Sequence, residues 1–345
     1  MSLTMPHVRT RLTDLADQAG VSTATVSRVL NGKHGVSTQT RQAVLAALDV
    51  LGYERPEKLR TRSAGLVGLV VPELTNPVFP AFAQAIESML SEVGYTPLLC
   101  TQSPGGTTED AYVEMLLEHD VAGIVFVSGL HADTSASRER YHRLRSRGLP
   151  IVLVNGYAEG VDAPAVSADD SAAMDLAFRH LVSLGHRRIG LAIGPERFVP
   201  AQRKVRAFTE NLARHLDVHS PDGHLVTTLF TVEGGQAAAG ELIASGHTAI
   251  ICGSDLMALG AIRAARALGL EVPTDVSVIG YDDSPLIAFT DPPLTTVRQP
   301  VQAMGHAAVS ALVAEINGTK TPRTELLFHP ELIVRGSTGI APVVR

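Results

Sequence analysis

Residues 12–33, LTDLADQAGVSTATVSRVLNGK, decide the fold of the N-terminal part of this chain. Apolar residues recur at helical spacing at the start of the stretch, and Gly20 can end that helix. Ser22 has the type and position of an N-cap for a second helix, in which Val26 and Val29 face inward. The stretch therefore predicts two short helices joined by a tight turn.

The second helix leaves small side chains and one arginine on its outer face, namely Thr23, Ala24, Ser27 and Arg28. Such a face can approach the major groove of DNA closely, and an arginine there can bind guanine through two hydrogen bonds. A third helix follows, which Ser37 can cap and Gly52 can close. The segment predicts a helix-turn-helix DNA-binding head, and the alternative is an ordinary pair of short helices within a larger domain.

Charge changes sign along the chain. Residues 1–63 carry nine Lys or Arg and five Asp or Glu, a net charge of +4. The whole chain of 345 residues has a net charge of −6, so residues 64–345 carry −10. A basic head on an acidic body is typical of a phosphate-binding module attached to a ligand-sensing body.

Several protein classes are disfavoured by what the sequence lacks. Cys100 and Cys252 lie far apart in apolar runs, which predicts reduced strand residues rather than a disulfide. The N-terminus lacks the apolar core of a signal peptide, and no apolar run reaches the roughly 18 residues of a membrane span. We therefore expect a cytoplasmic protein without a membrane partner.

No motif calls for a cofactor, a metal or catalysis. His215, His219 and His224 lie close together, but no further ligand completes a zinc pattern, so they predict a solvated helix end. There is no nucleophile elbow and no dinucleotide-binding fingerprint. We expect no enzyme activity.

From Leu66 onward, short apolar runs such as LVGLVV, VAGIVFV and TAIICGS alternate with amphipathic helical segments. This alternation predicts an α/β body with parallel sheets covered by helices on both faces. The units are too many for one sheet, and the chain divides near residues 157–169, so we predict two doubly wound lobes with a cleft. The predicted domains are a helix-turn-helix head (1–53), a hinge or linker (54–65) and a two-lobed body (66–345).

Polar and aromatic residues follow the predicted strands, where ligands of such folds bind. Carboxylate, amide and guanidinium groups beside an aromatic ring suit a polyhydroxylated ligand, because the polar groups pair with hydroxyls and the ring covers an apolar sugar face. The candidates are Asn76, Phe79, Asn155, Arg197, Arg203, Phe230, Ser254, Asp255, Asp282 and Asp283. Asp255 and Asp283 could instead cap a helix or hold a turn.

Five motifs distributed over the whole chain identify a family. They are ATVSRVLNG, PELTNPVF, SLGHRRIGLAIGP, ICGSDLMALGAIRAARALGLEVPTDVSVIGYDDSP and PPLTTVRQP. Together they resemble the LacI/GalR family of bacterial transcription regulators. The resemblance implies a body with the type I periplasmic binding protein fold, whose two lobes are joined by three crossovers. It also implies a homodimer that places two heads on adjacent half-sites of double-stranded operator DNA.

The resemblance assigns roles to individual residues. In the head it implies that Thr23 and Ala24 set the base preference and that Arg28 reads a base. The residues that it places against phosphates are Ser22, Ser27, Asn31, Ser37 and Thr40. The residues that it places in the effector pocket are Asn76, Phe79, Asn155, Arg197, Arg203, Phe230, Asp255, Asp282 and Gln299.

The segment LGYERPEKLRTRSAGLVG departs from the family pattern, because it is shorter than the hinge whose leucine enters the minor groove. Leu59 is the only apolar candidate in it before Leu66, and we assign the wedge role to Leu59. The alternative is a basic linker that touches only phosphates, through Arg55, Lys58, Arg60 and Arg62.

The loops ERPEKLRTRSAGLVGLVVPELTNPVFPAF and ERFVPAQRK are most similar to those of maltose- and maltodextrin-responsive repressors in the family. We therefore predict a DNA-binding repressor controlled by a sugar such as maltose or a maltodextrin, with another sugar or a sugar phosphate as the alternative effector. A transport solute-binding protein and a sugar-modifying enzyme are the competing classes, and the basic head and the lack of catalytic motifs argue against them. No leucine heptads follow VRGSTG, so we expect a dimer rather than a tetramer.

Overall fold

The computed structural model describes residues 12–31, 36–51, 64–102 and 105–342. The chain divides into two compact units, residues 1–64 and 65–345. The predicted linker spans this division, and most of it, including Leu59, lies outside the described residues. The wedge role of Leu59 therefore stays a prediction.

In its described residues, the first unit holds the helices α1 (Leu12–Ala19), α2 (Thr23–Leu30) and α3 (Thr38–Val50). α1 ends at a turn in which Gly20 has a φ of +64°, a conformation that glycine adopts without steric cost. All three helices contribute to one small apolar core, formed by Leu15, Ala16, Val26, Val29, Val44, Ala47 and Leu48. The predicted helix-turn-helix and its third helix are confirmed.

The second unit alternates strands with helices. Its strands are β1 (Leu66–Val71), β2 (Thr96–Thr101), β3 (Gly123–Val127), β4 (Ile151–Val154), β5 (Ala165–Ala168), β6 (Ile189–Ile193), β7 (Leu225–Thr227), β8 (Ala249–Cys252), β9 (Ser277–Asp282), β10 (Thr295–Arg298), β11 (Glu325–Phe328) and β12 (Glu331–Ile333). Its α-helices are α4 (Val78–Glu92), α5 (Glu109–Glu118), α6 (Glu139–Ser146), α7 (Asp170–Ser183), α8 (Val199–Leu216), α9 (Val232–Ala244), α10 (Asp255–Ala267) and α11 (Val301–Ile316).

These strands form two six-stranded sheets. The first has the order β2–β1–β3–β4–β5–β11 and is parallel throughout. The second has the order β7–β6–β8–β9–β10–β12, in which β12 runs antiparallel to its neighbour. Both orders are those of doubly wound sheets. The prediction of two doubly wound lobes is confirmed, and each sheet with its helices is called the first or the second lobe below.

Each sheet lies between two apolar layers, which is why its central strands are apolar on both faces. In β1, Leu69 and Val71 pack into one layer and Val70 packs into the other. In β9, Ile279 and Val278 likewise belong to different layers of the second lobe. Continuous apolar runs in the sequence therefore correspond to the buried centres of the two sheets.

Within residues 105–342 the chain passes between the lobes three times, between β5 and α7, between β10 and α11, and between β11 and β12. α11 belongs to the first lobe, because its residues Met304 and Ala308 lie in the apolar core of that lobe. The three crossovers match those that the family resemblance implies. Asp170 and Gln299 lie at the first two of them.

The apolar runs did not reveal β5, β10, β11 and β12. β5 reads AVSA and β10 reads TTVR, and neither contains a run of long apolar side chains. Pairing with neighbouring strands buries most of their residues all the same. A short strand at a crossover depends on such pairing more than on its own composition.

The two cysteines behave as predicted, since Cys100 in β2 and Cys252 in β8 are buried and free. Among the described residues, no helix combines the length and the apolar character that crossing a membrane requires.

Candidate functional site

The outer face of α2 carries the residues predicted to read DNA. Thr23, Ala24 and Arg28 are exposed, and Ser27 is partly buried. Arg28 has no hydrogen bond or ion pair within the part of the chain that the structure describes. The exposed face therefore carries short side chains and one arginine. A helix face of this kind can enter the major groove of DNA.

The predicted phosphate-facing residues also hold the helices together. Ser22 caps α2, and its Oγ accepts a hydrogen bond from the Thr25 amide at 3.2 Å. Ser37 caps α3 in the same way, with the Thr40 amide at 3.1 Å. Asn31 ends α2 and donates from Nδ2 to the Ser27 carbonyl at 2.8 Å. Their roles toward phosphates stay predictions, and each has this structural role besides.

A cavity of about 220 Å³ lies between the two lobes of the body. Six predicted effector residues line it together: Asn76, Phe79, Asn155, Phe230, Asp282 and Gln299. They meet there because the loops after the carboxyl ends of parallel strands gather at one edge of each sheet. The cavity thus lies where the sequence pattern predicts a ligand site.

Aromatic rings form much of the cavity wall. Phe79 of the first lobe and Phe198, Phe230 and Tyr281 of the second lobe all line it. Phe198 and Phe230 pack against each other with ring centroids 6.5 Å apart. Sequence reasoning missed Phe198 and Tyr281. Tyr281 directly precedes Asp282, which was predicted, at the end of the same strand. Rings of this kind suit the apolar face of a sugar.

A chain of hydrogen bonds crosses the cavity from one lobe to the other. Asn155 donates from Nδ2 to Gln299 Oε1 at 3.1 Å, and Gln299 donates from Nε2 to Asp282 Oδ1 at 2.7 Å. Burial raises the pKa of Asp282 well above its usual range, and the nearby Asp255 carboxylate raises it further. Because all three residues have their polar groups oriented and mostly shielded from water, they are preorganised to bind ligand hydroxyls.

A buried ion pair that sequence reasoning missed also lines the cavity. The ammonium of Lys204 in α8 pairs with Asp170 Oδ1 at the start of α7. The Lys204 Nζ atom lies 3.9 Å from the centroid of the Tyr281 ring, and the Tyr281 hydroxyl donates to Asp170 at 3.4 Å. Burial raises the pKa of the Asp170 carboxyl, and the Lys204 ammonium opposes that rise.

A signal for Lys204 was present in the sequence. The buried side of α8 contains Ala201, Lys204 and Ala207 at helical spacing, and Arg203 lies next to that stripe rather than on it. A lysine on the apolar stripe of a helix is rarely left unpaired. The side chain that reaches the cavity from this helix is therefore Lys204.

The other predicted effector residues do not line the cavity. Arg197 donates from Nε to Asp133 Oδ2 at 2.8 Å, and Arg203 makes two hydrogen bonds to Glu325 at 2.8 and 2.7 Å. Asp255 is 1% exposed. Its carboxylate accepts from the Thr296 hydroxyl at 2.6 Å and from the Ser284 amide at 2.7 Å.

The remaining two candidates, Ser254 and Asp283, make structural contacts, and those of Asp283 fit the alternative in which it holds a turn. Ser254 caps α10 by accepting a hydrogen bond from the Met257 amide at 3.3 Å, although it also borders the cavity. Asp283 pairs with Arg298 at 2.7 Å and Arg335 at 2.6 Å, which holds the turn after β9. Both carboxylate oxygens of Asp283 therefore contact arginines.

The three histidines for which a zinc site was not predicted do not share one set of contacts. His215 stacks on Phe178, whereas His224 packs edge-on against His247. Within the described residues, no group of three His, Cys, Asp or Glu side chains is placed to hold a metal ion.

Comparison with known proteins places both parts of the chain. Residues 11–56 match the family described as bacterial regulatory proteins, lacI family. Residues 178–338 match a periplasmic binding protein-like domain. Among solved structures, a transcriptional regulator CelR–cellobiose complex is 31% identical with a TM-score of 0.70, covering 95% of this chain and 100% of the other. A lac repressor dimer bound to operator and an anti-inducer is 26% identical with a TM-score of 0.69, covering 96% and 99%.

Curated relatives match over nearly the full length. The HTH-type transcriptional regulator reg1 of Streptomyces lividans is 64% identical over 337 residues, which cover 96% of this chain and 98% of the relative. The HTH-type transcriptional regulator MalR of Streptomyces coelicolor is also 64% identical, over 336 residues with the same coverage. The repressor CytR of Escherichia coli is 32% identical over 334 residues, covering 95% and 96%. These relatives are transcription regulators and not enzymes, and the chain belongs to the LacI family of bacterial transcription regulators.

Proposed function

We propose that this regulator represses transcription by binding operator DNA as a homodimer through α2, and that a sugar bound in the interlobe cavity controls it. The composition of the cavity wall is the observation that supports a sugar as the effector. It combines four aromatic rings, among them Phe79 and Phe230, with the hydrogen-bonded chain Asn155–Gln299–Asp282. Rings and oriented amide and carboxyl groups together recognise polyhydroxylated molecules.

Maltose or a maltodextrin is the effector that we propose. The similarity of the loops around residues 54–82 and 196–204 to maltose- and maltodextrin-responsive repressors supports it. A related regulator whose structure holds cellobiose, another sugar, supports the class of ligand. We place the protein in the cytoplasm, where operator DNA lies.

Control follows from the position of the cavity between two lobes. A ligand that contacts Asn155 of one lobe and Asp282 of the other favours the lobe arrangement in which both contacts are made. The response is bounded by the difference in ligand affinity between the two arrangements, typically about 1 to 3 kcal/mol.

The test is fluorescence anisotropy of the full-length protein on labelled DNA from upstream of its own gene and of neighbouring sugar genes. We expect tight binding that weakens steeply with added salt, because Lys and Arg contacts displace counterions from DNA. Maltose or maltotriose should change that affinity, and galactose serves as the control sugar.

The outcomes separate the parts of the proposal. Absence of salt-sensitive binding to any of these DNAs contradicts the repressor. Tight DNA binding that no maltodextrin alters contradicts the proposed effector and leaves the repressor in place. Sedimentation at micromolar concentration checks the dimer, which a tetramer would contradict.

A further inference from the structure

We infer that the buried pair Asp170–Lys204 determines the charge class of the effector, so that the cavity binds neutral sugars and rejects sugar phosphates. This inference rests on the proposed function, since it presupposes a sugar in the cavity. It deepens that proposal by naming two specificity-determining residues.

The first observation is that the basic side chains around the cavity are already neutralised. Arg197 and Arg203 pair with Asp133 and Glu325, and neither arginine lines the cavity. Lys204 is the basic residue that does line it among the described residues, and its ammonium is paired with Asp170. An anionic ligand would meet no unpaired cation among the described residues of the cavity wall.

The second observation is that the described residues of the wall offer acidic groups but no unpaired positive charge. Glu73 and Asp282 line the cavity beside Asp170, and neither of them forms an ion pair within the described residues. Asp282 receives its hydrogen bond from the neutral amide of Gln299. Bringing a phosphate into such a site would desolvate it without a compensating charge, which costs several kcal/mol.

The third observation concerns what the pair can still do for a neutral ligand. An ammonium has three donors, and a carboxylate accepts several hydrogen bonds, so each partner keeps capacity beyond their mutual contact. Lys204 and Asp170 both line the cavity, and their side chains are only 7% and 5% exposed, so this capacity is available to a bound ligand. The pair can therefore donate to and accept from sugar hydroxyls without adding net charge.

The test compares two ligands that differ only in charge. Isothermal titration calorimetry measures the binding of maltose and of maltose 6′-phosphate, with glucose and glucose 6-phosphate as a second matched pair. We expect the wild-type protein to prefer the neutral member of a pair by at least about tenfold, since an unpaired buried charge commonly costs more than that. Equal or tighter binding of the phosphorylated member overturns the inference.

Variants then identify the pair as the cause. Asp170→Asn leaves the Lys204 ammonium unpaired in the cavity, so the preference for the neutral sugar should shrink by about tenfold or reverse. Glu325→Gln is the matched control, because it frees Arg203, which does not line the cavity, and it should leave the preference unchanged. Equal shifts in the two variants would overturn the assignment to Asp170–Lys204.

The double variant Asp170→Asn, Lys204→Met removes both charges and should again reject the phosphate. Thermal unfolding and operator binding verify that each variant is folded. Should Asp170→Asn fail to fold, the wild-type comparison still overturns the inference if the phosphorylated sugar binds as tightly as the neutral one.

Failure of this inference is distinguishable from failure of the proposed function. A wild-type protein that binds sugar phosphates in preference to neutral sugars keeps the sugar-controlled repressor and contradicts the neutral cavity. If maltose and maltotriose do not bind but another neutral sugar does, and its phosphate does not, the proposed effector is contradicted and the inference is supported. Binding of no sugar, neutral or phosphorylated, contradicts both.

Discussion

Asp255 illustrates how the sequence can place a side chain in the correct loop and still assign it a different position from the one that it has. It follows β8, at the end of which ligands of this fold bind, and the sequence places it beside the effector. In the structure its two oxygens are occupied by Thr296 and Ser284 beneath the cavity. It supports the second lobe, and its carboxylate raises the pKa of Asp282 in the cavity wall.

Asp255 predicts a specific pH dependence of stability. Burial raises its pKa from an ordinary value of 3.8 to about 6, although hydrogen bonds from Ser284 and Thr296 oppose the rise. Since the folded state holds this proton more tightly than the unfolded chain, the stabilising contribution is complete below pH 4 and is lost as the pH rises to about 6. The loss amounts to at most about 3 kcal/mol.

The measurement is urea unfolding of the wild-type protein and of Asp255→Asn between pH 4 and pH 7. The difference in unfolding free energy between them should fall with pH over that window, because the amide does not titrate. Asp217→Asn, which replaces a carboxylate that is 94% exposed, is the control and should follow the wild-type curve. A constant difference between Asp255→Asn and wild type contradicts the raised pKa.

At the scale of elements, a contact between the loop after β3 and the start of α8 joins the two lobes beside the cavity. The Asp133 carboxylate accepts from Arg197 at 2.8 Å, and the backbone amide of Thr134 donates to the Arg197 carbonyl at 2.8 Å. Ala132 and Phe198, which adjoin these residues, line the cavity. The contact therefore holds two walls of the site at their observed separation.

We predict that Arg197→Ala weakens sugar binding although Arg197 does not line the cavity. Its side chain is 53% exposed, so the ion pair contributes at most about 1 kcal/mol and the loss of affinity is at most about fivefold. A double-mutant cycle with Asp133→Ala tests the cause, because two residues that act through one contact give less than additive losses. Additive losses in calorimetric titrations would show that the interlobe pair does not hold the site.

α8 also shows how an element can be predicted while its orientation is not. The sequence marks Arg203 because arginine suits a polar ligand, yet the next residue, Lys204, lies on the buried stripe of the helix. One residue corresponds to a rotation of about 100° around a helix axis. Arg203 thereby meets Glu325 of the first lobe, and Lys204 meets the cavity.

At the scale of the whole molecule, the first unit holds the helices that read DNA and the second unit holds the ligand cavity. The head has its own core around Leu15 and Val29, and each lobe of the body has its own cores. The reading of DNA can therefore be altered without disturbing the cavity. The basic head and the acidic body express the same division in net charge.

Arg28→Ala tests this division. Loss of a bidentate contact to a base costs about 1 to 3 kcal/mol per half-site, so operator affinity should fall at least about fivefold and the preference at one base position should relax. Sugar binding measured by calorimetry should not change. Arg179→Ala replaces an arginine of the second lobe that is 66% exposed, and operator affinity should be unaffected in that control. Loss of sugar binding in Arg28→Ala would contradict the division between the units.

The helix-turn-helix, the two doubly wound lobes and the loops that hold the cavity residues could all be predicted from the amino-acid sequence. These depend on local patterns, namely the caps Ser22 and Ser37, helical periodicity, and apolar runs that end in polar residues. Which side chains face the cavity, and which partner each charged group has, became known from the three-dimensional structure alone. Asp170 and Lys204 are 34 residues apart, and Arg203 and Glu325 are 122 apart. Such pairings depend on how distant segments pack and on the rotation of each helix about its axis. Local patterns do not determine which of two adjacent helix residues faces the cavity.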